Sequence, residues 1–343
     1  MPFSNLIGHE RPKAILRASI LHDRVAHAYL FYGAESIGKK QAALLFAQAV
    51  NCDRDYGPGG PEACGACRSC QQIENRTHPD FILIEPDQEQ ANPQIKIEQV
   101  RELEEQIVYR PLLGRRKICV IDDADRLTQG AANALLKTLE EPTAHSLFLL
   151  VTSRPAALPA TVRSRCQGIR FVPPARTQVE AALIMKREIP PEDARFLAMA
   201  TQARIGQALQ AEVATLRAQQ DEFCRLMSLQ SLQSVTAVLT AAEALHKSDR
   251  AQETLEWIEQ WIRDLILVGV GADQDSLLNL ERLPELQEAT KGLQLDLLLD
   301  LLTEIESIHR SATRNVNLQM ALENILLRLR DAVAAPTGPR SPR

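Results

Sequence analysis

The chain has 343 residues, of which 45% are apolar, 24% charged and only 4% aromatic, and its formal net charge is -5. This length predicts two or three domains, each large enough to bury a core of its own. An acidic chain with few aromatic residues lacks the basic face and the stacking surfaces of a general DNA-coating protein, which argues against that class.

No N-terminal signal peptide is apparent, and no apolar run reaches the length of a membrane span. The longest candidate, at residues 265–268, is short and follows Arg263 and Asp264. We therefore expect a cytoplasmic protein. In that compartment cysteines serve as metal ligands or core residues more often than as disulfides.

Five short apolar runs alternate with helical patterns through the first half of the chain. The runs comprise residues 28–32, 81–84, 117–121, 147–151 and 168–171. Near-continuous apolar strands separated by helices are typical of a parallel sheet that is covered on both faces. The first half is therefore expected to form an α/β domain around a parallel five-stranded sheet.

The segment after the first run has the spacing of a phosphate-binding loop (P-loop). It carries Gly33, Gly38 and Lys39 and opens a helical stretch from 41 to 50. In such loops the glycines let backbone N–H groups surround phosphates, the lysine neutralises them, and a following Ser or Thr ligates Mg²⁺. Lys40 stands at that last position, and a protonated ammonium cannot ligate a metal because it has donors only.

A second element of a nucleotide site follows the third apolar run, where Asp122 and Asp123 stand at the expected carboxyl edge of the sheet. In working ATPases the first acid helps to hold Mg²⁺ and the second, usually Glu, polarises the attacking water. Asp123 is one methylene shorter than Glu. Either element alone is a weak signal, but the two in this order predict a nucleotide-switch fold.

A cluster of cysteines forms the second strong motif, with the spacing C-x₁₁-C-x₂-C-x₂-C. Its members are Cys52, Cys64, Cys67 and Cys70. Four thiolates suffice for a closed, structural, tetrahedral zinc site. An iron–sulfur cluster takes the same ligands, but nothing else in the chain indicates electron transfer, so zinc is favoured. Unliganded core cysteines are the alternative, and we favour that interpretation for Cys119, Cys166 and Cys224.

Pro173 and Pro174 follow the fifth run and predict a domain boundary. Beyond them the strand patterns give way to short helices from 178 to 210 and longer amphipathic helices from 212 to 334. Apolar residues recur there at helical spacing, at Leu255, Ile258, Ile262, Leu265 and Ile266 and at Leu297, Leu301, Ile305 and Ile308. This spacing predicts helices that pack into a bundle. The Pro- and Arg-rich tail, 335–343, is expected to be disordered.

Arg165, just before the last strand pattern, has two interpretations that the residues alone leave open. An arginine at a domain edge can reach the nucleotide of a neighbouring subunit and stabilise the charge that develops at the γ-phosphate. An arginine in a basic turn is also an ordinary surface residue. From the sequence alone the surface residue is the simpler interpretation.

With these elements in order, the chain resembles the clamp-loader branch of the AAA+ family. The similarity is dense from about residue 5 to 172 and sparser through the helical remainder. Besides the loop and the cysteine motif it rests on residues 7–9, 27–31, 77–81, 95–101, 133–142, 164–166 and 315–317. The runs Ser-Arg-Cys and Leu-Lys-Thr-Leu-Glu-Glu-Pro are highly specific for clamp loaders.

The resemblance implies an AAA+ module over 1–172 with an inserted zinc module at 50–72, an all-α lid over 173–212 and an all-α collar over 213–334. Subunits of this family form an open ring that binds ATP and places a sliding clamp on primed DNA for bacterial DNA polymerase III. The implied partners are tau/gamma motor subunits, the delta subunit, the clamp and primed DNA, with no membrane. The implied location is the replisome, in the cytoplasm.

Three departures from the family's motor subunit point to a stator that does not hydrolyse ATP. Lys40 replaces the metal-binding hydroxyl, and Asp123 replaces the catalytic Glu. Gly206 stands where the motor's lid carries a nucleotide-sensing arginine, with Arg204 as the alternative in a shifted register. Hydrolysis is therefore not expected, whereas ATP binding stays open. The degenerate site comprises Gly33, Gly38, Lys39, Lys40, Asp122 and Asp123.

Arg165 is intact, and the resemblance favours an arginine finger that acts in trans on the adjoining motor's ATP. We expect the chain to have no ATPase or polymerase activity of its own. We expect it to be a component of a DNA-directed DNA polymerase (nucleotidyltransferase) holoenzyme. The alternatives are an ATP-hydrolysing tau/gamma-type motor and a regulatory or repair AAA+ protein that shares only the fold. A DNA-binding role for the cysteine module is disfavoured, since few basic residues (Arg54, Arg68) lie near it.

Overall fold

The computed structural model describes residues 3–54, 60–87, 93–228, 232–247, 251–311 and 317–333. Three predicted features lie wholly or partly outside these ranges: the tail predicted to be disordered, residues 55–59 of the zinc module, and residues 315 and 316 of the last family motif. The chain divides into two compact units, Met1–Ala211 and Glu212–Arg343. The separate limits expected for a lid and a collar stay predictions.

The first unit is built around a five-stranded sheet in the order β2-β3-β4-β1-β5. Its strands are β1 (Ala28–Tyr32), β2 (Phe81–Ile84), β3 (Lys117–Ile121), β4 (Ser146–Thr152) and β5 (Gln167–Arg170). Every pair of neighbouring strands is parallel. The predicted parallel sheet is therefore confirmed, with each strand within a residue or so of its expected position.

Helices precede, connect and follow these strands, and helices pack on both faces of the sheet. They are α1 (Glu10–Leu21), α2 (Lys39–Val50), α3 (Arg68–Glu74), α4 (Ile97–Ile107), α5 (Gln129–Glu140), α6 (Ala160–Arg163), α7 (Arg176–Arg187), α8 (Pro191–Ala200) and α9 (Ile205–Gln210). Since β1 leads directly into the loop before α2, that loop lies at the carboxyl edge of the sheet. The segment after β3 reaches the same edge.

The two faces of the sheet have separate cores because side chains alternate along each strand. On one face Tyr29 packs edge-to-face against Phe46 of α2, with ring centroids 5.4 Å apart. On the other face Leu30 packs in a cluster that includes Leu135 of α5 and Cys119 of β3. Burial on both faces explains the continuous apolar runs of β1, β3 and β4, whereas the edge strand β5 is exposed at three of its four residues.

In the second unit, helices joined by turns and irregular segments make up the described residues, and none of these residues is in a strand. Its helices are α10 (Val213–Met227), α11 (Val235–Lys247), α12 (Ala251–Gly269), α13 (Leu283–Ala289), α14 (Leu295–Ser311) and α15 (Leu318–Val333). The apolar spacing seen in the sequence marks the core: Ile258 and Ile262 of α12 and Leu301 and Ile305 of α14 are fully buried. Within the described ranges, none of the helices is both long and apolar enough to cross a membrane.

Asp80, just before β2, organises the loop between α4 and β3. Its side chain is fully buried and accepts hydrogen bonds from the N–H groups of Leu112, Leu113 and Gly114, each at 2.8 Å. Burial by itself raises the pKa of Asp80, but these three donors outweigh it and hold the pKa below the usual value. The ionised carboxylate is therefore part of the folded structure.

We expect Asp80→Ala to destabilise the fold by about 3 kcal/mol, because hydrogen bonds to a charged group contribute about 1.5–3 kcal/mol each and are not additive. The folded pKa is lowered, so this stability is present above the unfolded value of about 3.9 and is lost as the pH falls through the folded pKa. Denaturant titrations at neutral and acidic pH measure both effects.

The difference in the free energy of unfolding between the unaltered chain and Asp80→Ala should thus be smaller at acidic pH than at neutral pH. The exposed Asp300 offers a control, since Asp300→Ala should change stability by less than about 0.5 kcal/mol. An equal difference in the free energy of unfolding at both pH values would contradict a stabilising role of the ionised Asp80.

Candidate functional site

The P-loop lies between β1 and α2, as the sequence predicts. Gly33 and Gly38 have positive φ angles of 151° and 101°. A Cβ on Gly33 would lie 2.2 Å from the carbonyl oxygen of Phe171, which follows β5, so only glycine fits there. Gly38 is the N-cap of α2, and the helix N-terminus with its free N–H groups is a ready site for anions.

The side chain of Lys39 turns back onto the P-loop itself. Its Nζ donates to the carbonyl of Gly33 at 2.9 Å and to the carbonyl of Ala34. Burial lowers the pKa of Lys39, while nearby carboxylates, first among them Glu35, partly offset that effect. Main-chain carbonyls therefore take two of the three ammonium donors that would otherwise face a phosphate.

The ammonium of Lys40 pairs with two acids at the carboxyl edge. Its Nζ lies 2.9 Å from Asp122 Oδ2 and forms a second ion pair with Glu85. Glu85 is in turn held from its other oxygen by Arg76 Nη1 at 2.8 Å. Burial disfavours the charged form of Lys40, but the hydrogen bonds to Glu85 and Asp122 outweigh it and raise its pKa. A fixed cation thus holds the acid that would otherwise help to bind Mg²⁺.

Glu85 is the residue of this site that sequence reasoning missed. It follows β2 directly, and Ile84 of β2 pairs with Ile121, the residue before Asp122. Because parallel strands end at the same edge, this register brings Glu85 and Asp122 side by side. The signal in the sequence is an acid directly after an apolar run, and it becomes informative only once β2 is known to adjoin β3.

Asp123 is oriented differently from Asp122. Its backbone is left-handed, with φ of 46°, and its side chain lies 3.7 Å from Arg126 Nε and is 41% exposed. Burial and the neighbouring charge of Asp122 raise its pKa. Both predicted acids are therefore at the carboxyl edge, with Asp122 paired to Lys40 and Asp123 partly open to solvent.

Gly206, at the position compared with a sensor arginine, touches the P-loop through its backbone. Its N–H donates to the carbonyl of Ser36 at 2.7 Å, and a Cβ there would lie 2.9 Å from that same oxygen. Arg204, the alternative sensor, donates to Gln202 Oε1 at 3.2 Å. Glycine thus allows α9 to approach the loop closely, and a nucleotide-sensing role for Arg204 stays a prediction.

The four cysteines come together into one cluster, with sulfurs that all lie within 4.8 Å of one another. Cys52 follows α2, Cys64 and Cys67 lie in the connecting segment, and Cys70 is in the first turn of α3. The distances Cys52–Cys67 and Cys64–Cys70 are both 4.0 Å. A tetrahedral zinc ion with Zn–S bonds of about 2.3 Å holds its ligands about 3.8 Å apart, so the donor set fits zinc.

The surroundings of the cluster shift the pKa values of its thiols in both directions. Burial raises the pKa of Cys52 and Cys70, whereas in Cys64 the N–H groups of Ala66 and Cys67 outweigh burial and lower the pKa to about 6. The N–H of Cys67 lies 3.2 Å from the Cys64 sulfur, and the N–H of Cys70 lies 3.4 Å from the Cys67 sulfur. The site is closed, because protein ligands would fill all four positions.

Arg165 lies between α6 and β5, at the amino edge of the parallel sheet. Its side chain is 33% exposed and its Nη2 lies 2.6 Å from Glu140 Oε1, at the end of α5. Its Nη1 donates to the carbonyl of Thr161 at 2.8 Å. The guanidinium is therefore on the opposite edge from Lys40 and Asp122, and it belongs to a separate surface rather than to the chain's own nucleotide site.

Comparisons with known proteins show the family of the chain. Residues 8–175 match a protein-family model described as "DNA polymerase III, delta subunit", and residues 216–331 match "DNA polymerase III, delta subunit, C terminal". DNA polymerase III subunit delta' of Bacillus subtilis is 32% identical over 327 residues, which is 94% of this chain and 96% of the relative.

Two further similar proteins have names that also refer to DNA polymerase III. DNA polymerase III subunit tau/gamma of Haemophilus influenzae is 35% identical over 205 residues, or 59% of this chain and 29% of that protein. The solved structure of a DNA polymerase III gamma subunit-related protein from Thermotoga maritima has a TM-score of 0.39 and 19% identity, with 95% of this chain and 99% of that one covered.

We expect the purified chain to hold one zinc ion that depends on the cysteine cluster, and mass spectrometry for metals measures it. Cys67→Ser should lose the ion, whereas the matched control Cys166→Ser, outside the cluster, should retain it. Chelation should lower the melting temperature, by about 2–4 °C for each kcal/mol of stability lost. Retention of zinc by Cys67→Ser would overturn the assignment.

Lys40→Thr should raise the affinity for Mg²⁺-ATP by about tenfold or more, which corresponds to a gain of about 1.4 kcal/mol. The change frees Asp122 and restores a hydroxyl that can ligate the metal. Fluorescent-nucleotide titration with Mg²⁺ and with EDTA measures the gain, and Lys40→Ala separates release of Asp122 from the hydroxyl. Equal affinities of Lys40→Thr and the original chain in Mg²⁺ would show that the ion pair does not limit metal binding.

Proposed function

This chain belongs to the delta-prime family of DNA polymerase III clamp-loader subunits, and we propose that it acts as a stator that donates Arg165 to the ATP of an adjoining motor subunit. The contrast between the two edges of its sheet carries the proposal. At the carboxyl edge Lys40 ties up Asp122. At the amino edge Arg165 presents a partly exposed guanidinium.

The chemistry needs a positive charge at the neighbouring nucleotide. When water attacks the γ-phosphoryl group, negative charge spreads over its oxygens and over the leaving oxygen of the diphosphate. A guanidinium stays protonated at any physiological pH and offers a planar fork of N–H donors that matches phosphate oxygens. Arg165 would supply this fork in trans, and it is the residue we assign as catalytic.

The chain's own nucleotide site would hydrolyse ATP little, if it binds ATP at all. Lys40 stands in the place of the metal-binding hydroxyl, and the acid that would assist the metal is already paired. Loss of a single electrostatic contact typically lowers a rate by about 10²–10³-fold. The cysteine cluster would hold zinc in a structural role.

The partners follow from the family and are part of the proposal. Tau/gamma motor subunits and the delta subunit would contact the AAA+ module and a collar formed by residues 213–334, with residues 173–212 as a lid. The assembled complex would act on the sliding clamp and on primed DNA, as part of the cytoplasmic replisome. DNA polymerisation itself would belong to other subunits of the holoenzyme.

An ATP-hydrolysing tau/gamma-type motor is the alternative function, since this chain is 35% identical to such a subunit over 205 residues. The Lys40–Asp122 ion pair counts against it. Robust ATP turnover by the purified chain with DNA and clamp, abolished by Lys39→Ala, would support the motor and contradict the stator.

Arg165→Ala in the reconstituted clamp loader should lower hydrolysis at the adjoining motor site by about 10³-fold or more, as removal of arginine fingers does in related hydrolases. Single-turnover ATP hydrolysis measures this loss as the disappearance of one site's fast phase, and clamp loading on primed DNA should slow with it.

Arg163→Ala is the matched control, since Arg163 is exposed and only two residues away. It should leave the fast phase unchanged. Arg165→Lys should behave nearly like Arg165→Ala, because a lysine keeps the charge but loses the fork. Normal clamp loading by the Arg165→Ala complex would instead favour a regulatory or repair role.

A further inference from the structure

We propose that Glu140 is a positioning residue that orients the guanidinium of Arg165 for the neighbouring ATP; this inference rests on the function proposed for Arg165. Glu140 Oε1 lies 2.6 Å from Arg165 Nη2. On the other branch of the same guanidinium, Nη1 donates to the carbonyl of Thr161 at 2.8 Å. The two contacts come from different helices and hold the group from two sides.

The fold brings these groups together at the amino edge of the sheet. Helix α5 starts after the segment that follows β3 and ends at Glu140, directly before the turn into β4. Helix α6 ends at Arg163, directly before the turn into β5. Both chain segments return to the same edge, so the end of α5 is placed beside Arg165 by the topology of the sheet.

The position of Glu140 is unfavourable for helix α5 itself. A carboxylate in the last turn of a helix faces the negative end of the helix dipole, where basic residues are preferred. An ion pair this exposed, with side chains 33% and 49% accessible, also adds little to folding stability. Helix stability therefore does not account for the acid, whereas control of Arg165 does.

The two contacts leave Arg165 able to bind phosphate. A guanidinium has five N–H donors. The contacts with Glu140 and Thr161 use one N–H donor on each terminal nitrogen. One N–H donor on each terminal nitrogen and the Nε–H donor remain. A third contact, from Nη1 to Ser164 Oγ, is long at 3.5 Å. Arg165 can thus be fixed in direction and still present donors to a γ-phosphate.

Fixing the side chain in advance should raise the rate of the assisted reaction. A free arginine side chain samples many rotamers, and the entropy lost when it is immobilised corresponds to a factor of up to about 30 in the population of one conformer. Removal of Glu140 returns part of that freedom. We therefore expect a loss of between about threefold and thirtyfold in turnover at the adjoining site.

The test is a double-mutant cycle in the reconstituted clamp loader, read by single-turnover ATP hydrolysis. The complexes carry Glu140→Ala, Arg165→Ala or both changes, with Glu141→Ala as the matched control because Glu141 is the exposed neighbour. We expect Glu140→Ala to lower the maximal rate of the adjoining site with little change in half-saturating ATP, and Glu141→Ala to leave it unchanged. In the Arg165→Ala background, Glu140→Ala should have no further effect.

A conservative variant separates orientation from folding. Glu140→Gln keeps the side-chain length and one acceptor oxygen, so it should recover part of the rate lost in Glu140→Ala. Gel filtration of each complex, with melting temperatures, establishes that the ring assembles. If the complex with Glu140→Ala does not assemble, Glu140→Gln replaces it in the double-mutant cycle. Glu140→Gln should then lower the hydrolysis rate by a smaller factor, and it should have no effect in the Arg165→Ala background.

The two proposals fail in different ways. An unchanged rate with Arg165→Ala overturns the arginine finger itself. A normal or faster rate with Glu140→Ala, in a complex that does depend on Arg165, overturns the positioning role alone. A further loss from Glu140→Ala on top of Arg165→Ala also overturns it, because Glu140 would then act independently of the arginine.

Discussion

The ion pair between the ammonium of Lys40 and the carboxylate of Asp122 is the contact on which the rest of the nucleotide edge depends. Parallel strands direct acidic residues to this edge, and Glu85 and Asp122 arrive there side by side. In a working nucleotide site the metal compensates such a concentration of negative charge. Here Lys40 and Arg76 together balance the charges of Glu85 and Asp122.

The carboxyl and amino edges of the sheet hold their charged side chains in different ways. At the carboxyl edge Lys39 bonds to loop carbonyls, Lys40 to acids and Gly206 to the backbone of Ser36, while Asp123 is partly open to solvent. At the amino edge a basic group is held partly in solvent. The same sheet thus carries a network of paired charges at one edge and a partly exposed arginine at the other.

The sequence predicted those parts of the structure that depend on local pattern. All five strands, the P-loop and the cysteine cluster follow from apolar periodicity, glycine spacing and ligand spacing, and all are present in the fold. Glu85 was missed because its importance arises from strand order, which places β2 beside β3 and is not encoded locally. In the sequence Glu140 is only one residue of a family motif, because its contact with Arg165 joins the end of α5 to the turn between α6 and β5.

Close approaches were also beyond sequence reasoning. Gly206 was read as a lost arginine, whereas the structure shows a position with no room for a side chain beside Ser36. Asp80 belonged to a motif with no assigned role, and the fold shows that it anchors three N–H groups of a loop about thirty residues further along. In both cases the deciding fact is a contact between segments that are remote in the chain.

A row of alternating charges determines what a single substitution does to this site. The row consists of Arg76, Glu85, Lys40 and Asp122. It contains two cations and two anions, so any single loss leaves an unbalanced charge in a half-buried place. Replacement of Lys40 alone would leave one more anion than cation in this row, and a bound Mg²⁺ would offset that excess. At this position a lysine side chain and a metal ion are therefore alternative partners for the same two carboxylates.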